Sequence, residues 1–327
     1  LQELSYSDAI FLNKYLETGD ESILKKLYEP FKGTFAWNKQ SYEKWKKVYD
    51  YNRTLPENQK IVIVGIDIEH QSQNAIWGMY SLIPDSEPPI SIKPSIDELK
   101  ALYKSSINGN SRYNSKIVEF SKRLKDSISQ YHDDYEKYFG DSLFDFQIIN
   151  DNILNTIEAY YKQDGSRQDN QVFNAVRDKK MYENFLKIYS HLPQGKYYGQ
   201  FGLNHAFQKM QGNIDWLASL MNSSASPVKG KILSIAYVYE DCQQMYPSNG
   251  SYFVGNMSDY ASNDGLLEPY LKSDLVLFRL VGKGSPFKKR LKWYFCKETP
   301  PYSGVTTDYY QFLLFIKGSK PTVPLGE

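Results

Sequence analysis

The chain has almost no excess of charge. Its 327 residues carry 39 Lys and Arg against 38 Asp and Glu, for a formal net charge of +1. That balance supplies neither the basic stripe of a nucleic-acid binder nor the polybasic patch of a membrane-surface protein. Cysteine is scarce too: there are two, Cys242 and Cys296, and neither belongs to a Cys-x-x-Cys pair. A thiolate metal site is disfavoured on that spacing. The two are either one disulfide, if the protein is exported, or a pair of buried thiols. The second reading is preferred, since free Cys packs as a small hydrophobe. No apolar run approaches the roughly 20 residues of a membrane-spanning helix. Residue 1 is Leu rather than Met. A leader would therefore lie outside the sequence, and cytoplasmic and exported locations both stay open.

Several catalytic signatures are missing as well. There is no Gly-x-Ser-x-Gly elbow, so a serine nucleophile of the α/β-hydrolase kind is unsupported. No phosphate-binding Gly-x-x-x-x-Gly-Lys-Ser/Thr loop and no Gly-x-Gly-x-x-Gly follows a strand, which disfavours nucleotides. No His-Glu-x-x-His pair exists among the four histidines. The residues call for no metal and no cofactor. The expected partner is a small-molecule substrate, and the oligomeric state is open.

What is present is helix and strand in alternation. Helices are expected over 4–16, 21–28, 40–51, 95–106, 112–138, 144–163, 167–192 and 213–221. Gly19 closes the first, and a Ser95-x-x-Glu98 capping pattern opens the fourth. Strands are expected over Lys60–His70, whose β-branched run 61–64 reads as buried on both faces, and over 196–201, 231–239, 275–281 and 310–316. Pro84 to Pro94 reads as an extended linker and 242–264 as a polar loop. This order predicts an α/β fold with a mainly parallel central sheet flanked by helices, and a helical insertion or lid. The expected organisation is residues 1–94 and 164–327 as one discontinuous α/β domain, with 95–163 as the helical subdomain. The 28 tyrosines read as core and interface filler rather than as a carbohydrate- or base-stacking surface.

The chemistry concentrates between Arg167 and Phe207. Met181, Phe185, Ile188 and Leu192 recur at helical spacing. Extended backwards, that buried face meets Arg177 and Asp178. Burying charge is costly unless it is paired or used. Asp67 and His70 stand near the C-terminal end of the 60–70 strand, and His205 follows the 196–201 strand, where α/β proteins collect ligands. His132, set among acids, reads as solvated, and His191 as structural. Asp67, Arg177, Asp178, His205 and Glu3 make an acid–base constellation able to activate a water and hold an anion or carbonyl. The alternative is that Arg177 and Asp178 form a structural ion pair.

These residues also carry a resemblance. Arg177-Asp178-x-x-Met181-x-x-Asn184 resembles the Arg-Asp-x-x-Met-x-x-Asn signature of the erythromycin esterase family, within the haem-uptake and Tiki-like hydrolases. The segment from Asn13 to Gly19-Asp20, the Trp45–Asn52 helix, Val64-Gly65-Ile66-Asp67, 196–205 and 310–316 resemble further family segments in the same order. The resemblance implies a bacterial hydrolase with a His- or Glu-activated water and an ester-type substrate. It implies His205, Arg177, Asp178 and Glu3 as catalytic, and Asp67, His70 and Asn184 as substrate-binding. The family's Gly-Glu-x-x-His-Gly segment would lie before residue 1, and Gly202 stands where its two-histidine loop has the first His. A non-catalytic binding protein on the same fold, or a surface-polysaccharide protein, is the alternative.

Overall fold

The computed structural model describes residues 1–105, 115–192, 195–261, 265–298 and 300–326. The expected helix end at Ser106, the helix start at 112–114, the break at Pro193 and the end of the 242–264 loop (262–264) lie outside them. The chain divides into two compact units, one of residues 1–30 and 43–200, the other of 31–42 and 201–327.

The first unit is mostly helical around a short parallel strand pair, β1 (Gln2–Ser5) and β2 (Gly65–Asp67), with Gln2 opposite Gly65 and Ser5 opposite Asp67. A Cβ at Gly65 would run into the Ser5 carbonyl, so glycine is what lets these two backbones meet. Helix α1 (Tyr6–Thr18) starts on the Ser5 cap, whose hydroxyl accepts from the Asp8 N–H, and ends at Gly19 with φ 72°. Then come α2 (Glu21–Tyr28), capped by Asp20, and α3 (Lys39–Asn52), which begins in the other unit. After β2 follow α4 (Ser72–Ser81), α5 (Lys93–Lys104), α6 (Ser115–Gln130), α7 (His132–Phe139), α8 (Leu143–Tyr160) and α9 (Asn170–Tyr189). Ile117, Phe120, Leu124 and Ile128 form one buried face of α6, packed in a single core with Ile76, Met79, Leu99, Phe146 and Ile149. Each such side chain contributes roughly 1.5–3 kcal/mol through burial.

Three expectations change here. The 60–70 strand contracts to Gly65–Asp67, and Ile61 and Val62 are exposed. The reason is that asparagine side chains take the place of a neighbouring strand. Asn52 accepts from the Ile61 N–H at 2.8 Å and donates to its carbonyl at 3.0 Å. Asn13 does the same for Ile63, at 2.8 Å in both directions. The Ser95 capping pattern is not used: α5 starts two residues earlier, and the Ser95 hydroxyl reaches Ser127 at 3.3 Å. The expected 112–138 helix breaks at Tyr131, and the acidic first turn of α7, Asp133 and Asp134, suits a new helix N-terminus.

The second unit holds α10 (Leu217–Met221), β3 (Ile235–Glu240), β4 (Gln243–Ser248), β5 (Ser251–Asn256), β6 (Leu275–Arg279), α11 (Thr306–Tyr309) and β7 (Phe312–Lys317). Its sheet runs β3-β7-β6, parallel between β3 and β7 and antiparallel between β7 and β6. Ala236, Val238, Leu313 and Phe315 pack from it against Phe207, Trp293, Tyr309 and Tyr310. The polar stretch 242–264 contains a hairpin: β4 and β5 pair antiparallel around Asn249-Gly250, both at positive φ. Asn-Gly is the turn such hairpins favour. The 196–201 stretch is no buried strand. Tyr197 and Tyr198 are exposed, and a lone bridge ties Gln200 to Gln2. Neither cysteine is bonded to the other; Cys242 is buried, but Cys296 is exposed. Among the described residues the fold thus mixes helices with three small sheets, two of parallel or mixed pairing. No helix among the described residues is long and apolar enough to cross a membrane.

Candidate functional site

Helix α9 carries Arg177 to the end of β2. Its N-terminus is set by Asp169, whose carboxylate accepts from the Gln171 and Val172 N–H groups at 2.9 Å. Met181, Phe185 and Ile188 anchor the helix in the core as their spacing predicts. Asn184 ties it to β2 by donating to the Ile66 carbonyl at 3.0 Å and to Asn152 of α8 at 2.8 Å. One turn and three residues back, the Arg177 guanidinium lies against Asp67 as a fork, Nε to Oδ1 at 2.9 Å and Nη2 to Oδ2 at 2.5 Å. The same Nη2 donates to Glu3 Oε1 of β1 at 2.6 Å. Planar two-point contact is what a guanidinium makes with a carboxylate and an ammonium cannot.

Asp67 holds the histidine as well. His70 Nε2 stands 3.2 Å from Asp67 Oδ2, and its Nδ1 3.0 Å from the Tyr160 hydroxyl of α8. With Nε2 carrying the proton toward Asp67, Nδ1 accepts from Tyr160. Carboxylate, imidazole and hydroxyl then stand in line, an arrangement suited to moving a proton at the tyrosine oxygen. Burial works against charge on Asp67, but Arg177, and after it the His70 ring, outweigh it and hold the carboxyl well below its usual range. Burial likewise opposes the Arg177 charge, and Asp67 and Glu3 reverse that. Asp67 is sealed, whereas the His70 and Glu3 side chains are 26% and 28% exposed, so these two form the accessible side of the network.

A second carboxylate pair lies just beyond it. Glu69 accepts from the Ser7 N–H at 3.1 Å and from its hydroxyl at 2.5 Å, at the N-terminus of α1. Asp8 accepts from the Asn74 side chain at 2.7 Å. Burial pushes Glu69 up to about 8, with the Asp8 charge adding to it and the Ser7 donors opposing. Burial also raises Asp8, to about 6, against the pull of Asn74 and Ser5.

The structure therefore joins Glu3, Asp67, His70 and Arg177 in one network. Asp178 is fully buried on the next position of α9, and Asn184 uses its amide on protein partners. His205 belongs to the second unit, where it is buried in a 3-10 turn with its ring edge-on to Trp216. Sequence reasoning passed over Tyr160, at the end of a helix with no motif, and Asp8 and Asn74. Glu69, two residues after Asp67, shared its strand-end signal. Among the described residues, one group has metal-ligating spacing: His132, Asp133 and Glu136 on α7, all exposed.

These features define a mixed helix-and-sheet protein with an arginine-pinned carboxylate network at the ends of its first two strands. No known family model matches the chain, and no curated protein does. Solved structures share its fold at low identity. A Bacillus cereus protein is 16% identical with a TM-score of 0.66, covering 100% of this chain and 81% of its own. A succinoglycan biosynthesis protein is 13% identical with a TM-score of 0.64, covering 99% and 80%. A histidine-to-asparagine mutant of the erythromycin esterase EreC, in its open conformation, is 16% identical with a TM-score of 0.66, covering 99% and 83%. The chain is thus related to the erythromycin esterases at the level of fold.

Proposed function

We propose that the protein is a hydrolase of the erythromycin-esterase type, acting on an ester-type small-molecule substrate through a water activated at the Glu3–His70 side of the network. The observation that carries this is the Arg177 fork. It fixes Asp67 and Glu3 together, and Asp67 in turn orients His70 toward Tyr160. Glu3 then serves as the general base, its position set by Arg177. The His70–Tyr160 pair supplies or takes the second proton, and Asp67 stays ionised throughout. Asp178 is assigned a supporting part beneath the site.

The test is turnover of a panel of aryl esters and lactones. Glu3→Gln and His70→Ala should each lower kcat about 100-fold or more, the size of a general acid–base contribution. Tyr160→Phe should lower it less and shift the pH profile. Full turnover in Glu3→Gln would end this mechanism. His205 is judged separately: unchanged turnover in His205→Ala removes it from catalysis. The similarity to a succinoglycan biosynthesis protein favours a second reading, a surface-polysaccharide protein on the same fold. Saturable binding of succinoglycan with no ester turnover would select it.

A further inference from the structure

A cleft of about 670 Å³ opens in the first unit and shares no lining residue with the Asp67–Arg177 network. That volume lies within the range of small-molecule sites, roughly 300–1,000 Å³. Its walls come from α7 and the turn after it, the start of α8, the end of α9, one face of α1 and the 62–65 segment. Ile10, Ile63 and Ile188 make the apolar part. Three carboxyl groups, Glu136, Asp141 and Asp145, line the cleft together with His132 and His191, and no Lys or Arg does among the described residues. Glu136 and Asp141 are exposed at the rim, where solvent and salt screen them. Asp145 lies deeper. Its Oδ1 accepts from the Tyr6 hydroxyl at 2.6 Å, and burial raises its carboxyl despite that bond and the nearby His191. A carboxylate deprived of water in an acidic cleft gains from any cation brought to it. Phe144 adds an aromatic wall, with Tyr6 edge-on at 6.3 Å and the His191 ring at 4.1 Å. Aromatic faces attract cations as well.

We propose that this cleft is a second ligand site, for an organic cation with an apolar body, in which Asp145 meets the cationic head and the isoleucine wall takes the remainder. The site is separate from the proposed hydrolytic one and does not depend on it.

Calorimetric titration with benzyltrimethylammonium tests it, with benzyl alcohol and benzenesulfonate as neutral and anionic counterparts of similar size. The cation should bind at least about ten-fold tighter than the alcohol, and the sulfonate should not bind. Asp145→Asn should weaken the cation about ten-fold, and the exposed Glu136→Gln about two-fold. Ester turnover should be unchanged in Glu136→Gln. Equal affinity for cation and alcohol, undiminished affinity in Asp145→Asn, or no heat at millimolar probe would overturn the proposal. If Asp145→Asn does not fold, Glu136→Arg places a positive charge at the exposed rim. It must then weaken the cation several-fold, and unchanged affinity there overturns the proposal equally.

Discussion

Asp67 and Glu69 stand two residues apart on one segment, both sealed from solvent, and their carboxyl groups titrate in opposite directions. Asp67 has the Arg177 fork and the His70 ring beside it, so it stays ionised. Glu69 has two donors from Ser7 and a second acid, Asp8, and no guanidinium bonds to it among the described residues. Burial alone therefore does not decide a charge. The cation that the tertiary fold delivers decides it, and here α9 delivers it to one carboxylate and not to the other.

The largest test of this contrast removes the cation. Arg177→Met should cost about 3–5 kcal/mol in urea denaturation, because Asp67 is left buried with only the His70 ring to offset its charge. Adding Asp67→Asn to that variant should restore much of the loss. If the single variant is as stable as the parent, Arg177 is not what keeps Asp67 ionised. A smaller effect is expected from Asn13→Ala, about 1–3 kcal/mol, since the Ile63 backbone loses both partners.

The pH dependence separates the two clusters most directly. Glu69 is raised from 4.5 to about 8, so the folded state holds its proton longer than the unfolded chain does. Its stabilisation is complete below about pH 4.5 and disappears as pH climbs through about 8, by at most about 1.4 kcal/mol per pH unit. Asp67 behaves the other way. Its contribution is present above 3.8 and is lost only as pH falls toward its depressed folded value. Chemical denaturation across pH should show Glu69→Gln flattening the neutral arm while sparing the acid arm. Loss of both arms, or of neither, would break the comparison. As the smallest effect, Lys122→Ala removes an exposed pair with Glu119 and should change stability by no more than about 0.5 kcal/mol.

Much of this was legible in advance. The buried stripe of Met181, Phe185 and Ile188, the Gly19 cap and the meeting of Arg177 with Asp67 and Glu3 follow from periodicity, turn chemistry and the family-like motifs. The 60–70 run forms only a short strand because a β-branched run signals extended backbone but not what pairs with it, and here Asn13 and Asn52 do. Asn249-Gly250 advertises the β4–β5 hairpin, but the polar composition of 242–264 conceals the alternation around it. Tyr160 could not be found from sequence: it reaches His70 from 90 residues away, and nothing local marks it.

The sequence by itself determined where most of the helices run, which of their faces are apolar, and that Arg177 and Asp67 are charges awaiting partners. Periodicity and capping are local properties, written within a few turns of chain. Only the tertiary structure decided which carboxylate receives the guanidinium, that His70 lies between Asp67 and Tyr160, and that Glu69 keeps its proton. Those outcomes depend on distances between groups far apart in the chain and on the water that packing removes around them.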